Sequence, residues 1–494
     1  MRKSGVLLPV FSLPGPYGIG TFGRAAFEWV DFLAAARQAV WQVLPLGATS
    51  FADSPYQSFS AFALNPYFID LDALCEQGLL TPQQCEDAFP QQADARVSYL
   101  SLFEKRMPLL RQAYAAFCKQ GQTAELEAFC ARQQSWLDDY TLYMAIKQAQ
   151  GGLSWQKWPA PLRLRDETAL QQARQICAGE RGFHAFVQYQ AYTQWQALKQ
   201  YANDNGVKII GDLPIYVALD SADVWANRTL FCLDDAGWPT AVAGCPPDAF
   251  ATDGQLWGNP LYDWPVHQST GFAWWLQRMQ AAFTLFDQVR VDHFRGFESY
   301  YAIPFSAGTA RRGSWLPGPG MAFIHALQAR FGNAPIIAED LGFLTPEVQA
   351  LLRESGYPGM KVLQFAFDTR ETHDYRPYTY PQNCVVYTGT HDNDTTAGWL
   401  CSGWRDDVRL AKQYLGCTGQ STRQGVWAFL RAAFGSAAAL AVIPMQDWLG
   451  LGGEARINTP ATIGGNWAWR LSASYLTPAF AEEMADFTKL YGRA

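Results

Sequence analysis

No C-x-x-C pair occurs among the ten cysteines of this 494-residue chain, so neither a zinc knuckle nor a thioredoxin-like redox motif can be drawn. Scattered single thiols suit a reducing compartment. Histidine is scarce, six in all, and no His-x-His ends an early apolar run, which leaves few ligands for a catalytic metal. No apolar stretch approaches the roughly 20 residues that a membrane helix needs, the nearest being "SAAALAVIPM" at 436–445. Neither sign of charge dominates: 38 basic and 45 acidic side chains leave a net charge of −7, which argues against a nucleic-acid footprint. Near the N-terminus Pro9 interrupts a short apolar run and no small-residue cleavage site follows, so no signal peptide is read and a cytoplasmic protein is expected.

Apolar and aromatic side chains, by contrast, are plentiful. The 49% hydrophobic content is enough for a sizeable core, and the 19 Trp, 22 Tyr and 31 Phe can fill that core or offer flat faces to sugars and bases. Eight short β-rich runs bounded by turn residues read as buried strands: 5–11, 40–46, 207–213, 288–292, 335–340, 362–367, 384–390 and 440–445. Helical patterns lie between many of them, at 25–37, 272–283, 323–331 and 346–355. Strand and helix in alternation imply a parallel sheet. Several runs end in polar residues (Asp212, Asp292, Glu339 with Asp340, His391 with Asp392), the strand ends where a (β/α)8 barrel carries its site. A doubly wound open sheet follows the same rule and is the alternative. The expected organisation is one α/β barrel domain over 1–494, with a helical insertion at 70–200 and a loop-rich, aromatic one at 214–285 that includes a lid at 244–264.

The run "FDQVRVDHFRGF" (286–297) begins like a buried strand yet holds Arg290, Asp292, His293 and Arg295, and buried charge is costly unless paired. Together with Glu339 and Asp392 at other strand ends, Asp292 suggests glycoside chemistry, in which one carboxylate attacks the anomeric carbon and a protonated partner serves the leaving oxygen. Arg290 lies two residues before Asp292, on the same strand face, and is expected to hold it ionised. Other readings compete. "YTGTHDND" (387–394) offers His391, Asp392 and Asp394 as metal ligands, and "GLGGEA" (450–455) matches a loose dinucleotide fingerprint without an amphipathic helix behind it. The turn-rich loops 54–68 and 244–264 carry Tyr56, Phe250 and Trp257, in the kind of segment that holds binding residues.

Taken together, "SPYQSFSAF", "GDLPIYV", "PPDAFATDGQLWGNPLYDW", "VRVDHFRGF", "IIAEDLG", "GTHDNDT" and "EARINTPATIGGNWAWR" resemble the 4-α-glucanotransferases, called amylomaltases in bacteria and disproportionating enzymes in plants. The resemblance runs from about residue 4 to residue 471. It implies a (β/α)8 barrel of the α-amylase clan without a C-terminal β-sandwich, acting by a retaining double displacement. Asp292 would be the nucleophile, Glu339 the general acid and then base, and Asp392 the stabiliser of the distorted sugar. Arg290 and His391 would bind the sugar at the cleaved linkage, with Tyr56 stacked on it, Ser54 also among the substrate-binding residues, and Asp212 and His293 supporting the same subsite. Trp257, Phe250 and Asn466 would line the acceptor side. Implied partners are α-1,4-glucans, with glucose as an acceptor, and neither cofactor nor metal, nucleic acid nor membrane. A hydrolase of α-glucans on the same scaffold is the alternative. Gly15, Thr21 and Leu64 depart from the family's usual residues.

Overall fold

Twelve strands form among the described residues: β1 (Lys3–Leu7), β2 (Val40–Gln42), β3 (Lys208–Leu213), β4 (Ala241–Cys245), β5 (Gln255–Pro260), β6 (Gln288–Val291), β7 (Ser299–Pro304), β8 (Ser314–Pro317), β9 (Ile336–Ala338), β10 (Gly359–Val362), β11 (Cys384–Tyr387) and β12 (Leu440–Pro444). The structure is a computed structural model that describes residues 2–90, 96–121, 123–247, 253–342, 344–370 and 375–494. Eight strands close into a parallel barrel in the order β1, β2, β3, β6, β9, β10, β11, β12, with β12 paired back to β1. Closure removes every sheet edge and decides against the open doubly wound sheet.

Alternation along each strand sorts its side chains into two layers. Leu7, Val40, Ile210, Ile337, Met360, Val362, Val385, Tyr387 and Val442 fill the interior. Their neighbours, such as Val6, Trp41, Ile209, Val289, Ile336 and Ala441, face outward into the helical shell. That shell includes Arg24–Ala35, Ala273–Leu285, Gly320–Phe331, Pro346–Ser355 and Thr422–Gly435, while Pro478–Leu490 packs on Arg24–Ala35. Gly211 shows how tight the shell is: a Cβ there would lie 2.1 Å from the Phe286 ring, so only glycine lets β3 lie against that ring one residue before Asp212.

Between β2 and β3 the chain forms a series of helices from Leu71–Glu76 onward, and the last of them, Ala178–Asp204, packs on both β3 and Arg24–Ala35. Thr21 and Leu64 have structural partners in this region. The Thr21 hydroxyl donates to Asp70 Oδ2 at 2.7 Å, and the Leu64 N–H and carbonyl are both taken by the Gln188 side chain.

The strand expected at 362–367 is corrected. β10 occupies Gly359–Val362, and Leu363–Phe367 is a 3-10 turn that buries Leu363 and Phe367 in the helical shell. A short apolar run satisfies either geometry, and periodicity alone could not separate them. β3 runs to Leu213, the last residue of its predicted run, and keeps Asp212 within the strand, whereas the remaining predicted runs stop short of their last residues, so that Asp292, Glu339 and Asp392 stand just beyond their strands. Unforeseen from sequence was a four-stranded antiparallel sheet, β5-β4-β7-β8, drawn from both sides of β6. Its strands are short, glycine interrupts β4 and β5, and no clear alternation announces them. Among the described residues no helix is long and apolar enough to cross a membrane.

Candidate active site

Ladder register places the first charges. Asp212 stands opposite Arg290 in the β3–β6 pairing, two residues beyond inward-facing Ile210. The Asp212 side chain is wholly buried, and Arg290 Nη1 donates to both of its oxygens at 2.7 Å. Arg290 Nη2 reaches Asp292 Oδ1 at 3.0 Å. Burial opposes the guanidinium's charge, but Asp212 and Asp292 outweigh it and push its pKa well up.

Asp292 follows β6 directly, its N–H donating to the Leu213 carbonyl at 3.0 Å, and 28% of its side chain stays open to the cleft. Glu339 follows β9 in the same way, donating to the Val291 carbonyl while its own carbonyl accepts from Phe294. Its carboxyl accepts two backbone N–H groups, His293 at 2.5 Å and Leu341 at 3.1 Å. The first contact depends on the left-handed backbone of His293 (φ 51°), which turns its amide toward the strand end next door.

Desolvation dominates both carboxyls. It raises Asp292 to about 6 against the pull of Arg290, and raises Glu339 to about 7 with the Asp292 charge adding to the shift. Arg290, expected to hold Asp292 ionised, does pull its pKa down, but burial outweighs the guanidinium and the net shift is upward. Asp292 gives up its proton before Glu339 does. Two neighbouring carboxyls with separated affinities are what a nucleophile and a proton donor require. Burial and the nearby Arg295 lower His293 to about 3, so its imidazole is neutral; its ring meets Trp257 edge to face at 5.0 Å.

Across the cleft, loops supply the remaining groups. The Tyr56 hydroxyl donates to Asp212 Oδ2 at 2.8 Å, lies 2.8 Å from His391 Nε2, and its ring stacks on that imidazole at 5.3 Å. Asp392 Oδ1 accepts from Asn458 Nδ2 at 2.6 Å, and the Asp392 carbonyl accepts from Arg456 Nη2 at 2.7 Å. Asn458 and Arg456 were missed from sequence, although both lie inside the quoted run "EARINTPATIGGNWAWR".

Arg290, Asp292, His293, Glu339, Asp212, Tyr56, His391, Asp392 and Trp257 are thus linked into one site. Ser54 braces the Tyr56 turn instead, its hydroxyl accepting from the Tyr56 N–H at 3.3 Å. Asn466 closes its own loop through Thr459 and Thr462. Phe250 lies outside the described residues. Asp394 turns away from His391 and Asp392 to accept from the Thr395 N–H, and among the described residues no three acidic, His or Cys side chains converge as metal ligands. "GLGGEA" is a turn after Met445–Leu449 followed by a short 3-10 segment, without the helix a dinucleotide fingerprint needs.

A closed parallel (β/α)8 barrel with carboxyls on neighbouring strand ends, one clasped by a buried arginine, is the arrangement of an enzyme of glycosidic bonds. Within that class the chain belongs to the 4-α-glucanotransferase family, whose model matches residues 8–476. It is 49% identical over 499 residues to the 4-α-glucanotransferase of Thermus thermophilus, covering 99% of each chain. Against the Streptococcus pneumoniae enzyme of that name it is 47% identical over 496 residues, covering 100% of this chain and 97% of the relative. Its structure is similar to that of amylomaltase from Streptococcus agalactiae in complex with acarbose, with a TM-score of 0.96, 40% identity and full coverage of both chains.

Proposed function

We propose that this 4-α-glucanotransferase works by double displacement, with Asp292 attacking the anomeric carbon of an α-1,4-glucan while Glu339 protonates the departing glycosidic oxygen. The bond to the leaving chain breaks as the Asp292–sugar bond forms. Glu339, now ionised, then takes the proton of an incoming 4-hydroxyl, which displaces Asp292 and restores both groups. The observation that carries this reading is geometric: on adjacent strand ends, Asp292 meets the Arg290 guanidinium at 3.0 Å while the Glu339 carboxyl is held by the His293 and Leu341 N–H groups and has no cationic partner among the ion pairs of the described residues. Asp392, braced by Asn458, grips sugar hydroxyls in the distorted state. Tyr56 and His391 bind the donor sugar.

The covalent sugar can be taken by water or by another glucan, and the choice depends on excluding water. The segment 244–264, of which 248–252 lie outside the described residues, is the lid in this reading, with Trp257 against His293 on the acceptor side and glucose among the acceptors. Incubation with maltotriose, with and without a chelator, tests the assignment. Transfer gives longer maltodextrins plus glucose at constant reducing ends, unchanged by chelator. Mostly maltose and glucose with rising reducing ends would make the enzyme a hydrolase.

A further inference from the structure

Arg290 commits its terminal nitrogens to Asp212 and Asp292, which leaves Nε. That N–H donates to the thioether sulfur of Met360 at 3.3 Å. Met360 is fully buried on β10, in an interior cluster whose other members are aliphatic apart from Tyr387, and the Tyr387 hydroxyl is already given to Gln42. Packing alone would be met there by leucine, which fills the same volume with better-defined rotamers. A sulfur offers what leucine lacks: a soft, weak acceptor that an apolar interior tolerates. The Met360 N–H is held as well, donating to Asp340 Oδ1 at 2.6 Å, so the sulfur sits on a backbone tied to the strand end that carries Glu339.

We propose that Met360 is a positioning residue for glucan transfer, its sulfur fixing the rotation of the Arg290 guanidinium so that Nη2 meets the nucleophile. This rests on the reading of Asp292 given above. The fork is anchored at one end by two bonds to Asp212, whereas its contact to Asp292 is single and faces the open cleft. Removing the Nε acceptor leaves a buried donor without a partner, and the guanidinium can regain one only by turning. Turning weakens the contact to Asp292. Tyr56 and His391 still hold the donor sugar while the contact to the nucleophile weakens, so the larger loss falls on kcat rather than KM.

Met360→Leu keeps the volume and removes the acceptor, while Met360→Gln restores an oxygen acceptor at similar reach. Steady-state transfer from maltotriose, its pH profile and the melting temperature are measured for both. Met360→Leu is expected to lower kcat about tenfold with KM within about twofold. Its acidic limb should move up by about half a pH unit, because Arg290 is what pulls Asp292 down, and its melting temperature should stay within about 3 °C. Met360→Gln should recover most of kcat and return the limb. Wild-type kcat and an unmoved limb in Met360→Leu would overturn the proposal, as would a folded Met360→Gln no better than Met360→Leu. Asp292→Asn separates the two levels: its retaining activity would overturn the nucleophile assignment, whereas an unaffected Met360→Leu overturns the positioning role alone.

Discussion

The floor of the cleft and its rim are built in different ways. At the floor, Asp212, Arg290, Asp292 and Glu339 sit on or one residue beyond three adjacent strands, and backbone pairing fixes their relative positions before any side chain is considered. At the rim, Tyr56, Asp392, Asn458 and Trp257 come from segments up to some 400 positions apart, joined by side-chain hydrogen bonds and ring contacts. A floor made by ladder register is rigid and carries the chemistry, while a rim made by side chains can be altered one contact at a time. The largest test of that contrast is at the floor. Asp292→Asn and Glu339→Gln should each lower transfer on the order of 10⁴-fold, since neither half of the double displacement runs without both groups. Product analysis from maltotriose checks this, and a loss of less than about tenfold would remove the assignment.

At the rim the effects should be graded. Asn458→Ala deletes one hydrogen bond to a carboxylate, about 1.5–3 kcal/mol, so kcat should fall roughly 10- to 100-fold with the fold intact. An unchanged kcat would mean that Asp392 is held without Asn458. Trp257→Ala opens the apolar surface beside His293 and should raise the hydrolytic share several-fold while total turnover falls less. Reducing-end release measured beside glucose release reads that ratio directly, and a constant ratio would separate Trp257 from water exclusion.

The same division governs what could be read from sequence. Floor residues announce themselves, because Asp292 or Glu339 after an apolar run is costly without a use, and the period-2 rule places Arg290 relative to Asp292 without a structure. The barrel was legible for the same reason, each strand being a dense local signal. At the rim Asp392 is marked by the apolar run before it, but the residue that braces it carries no such mark. Asn458 and Asn466 are both asparagines in one polar stretch, and only the fold shows that Asn458 meets Asp392 while Asn466 closes its own loop. The small antiparallel sheet was missed likewise, since its pairings join segments on either side of β6. The strength of desolvation at Asp292 was also beyond sequence: spacing shows that an arginine is near, not how much water is excluded.

That desolvation gives the smallest effect and sharpens the contrast. Glu339 has a folded-state value raised to about 7 from the usual 4.5, so the folded protein holds this proton where the unfolded chain has lost it. Stability from this group therefore falls as pH rises between those values, and the cost is fully present above the folded value. Glu339→Gln removes the ionisation, and its melting temperature should exceed that of the wild type at pH 8 by about 1 °C for each kcal/mol relieved in a chain of this length, a gap that closes as pH falls toward 4.5. Asn458→Ala, which removes no titrating group, should show no such trend. A Glu339→Gln difference that is the same at pH 5 and pH 8 would mean that the floor does not exclude water strongly enough to raise Glu339, and the order of ionisation would then have to come from the Arg290 contact alone.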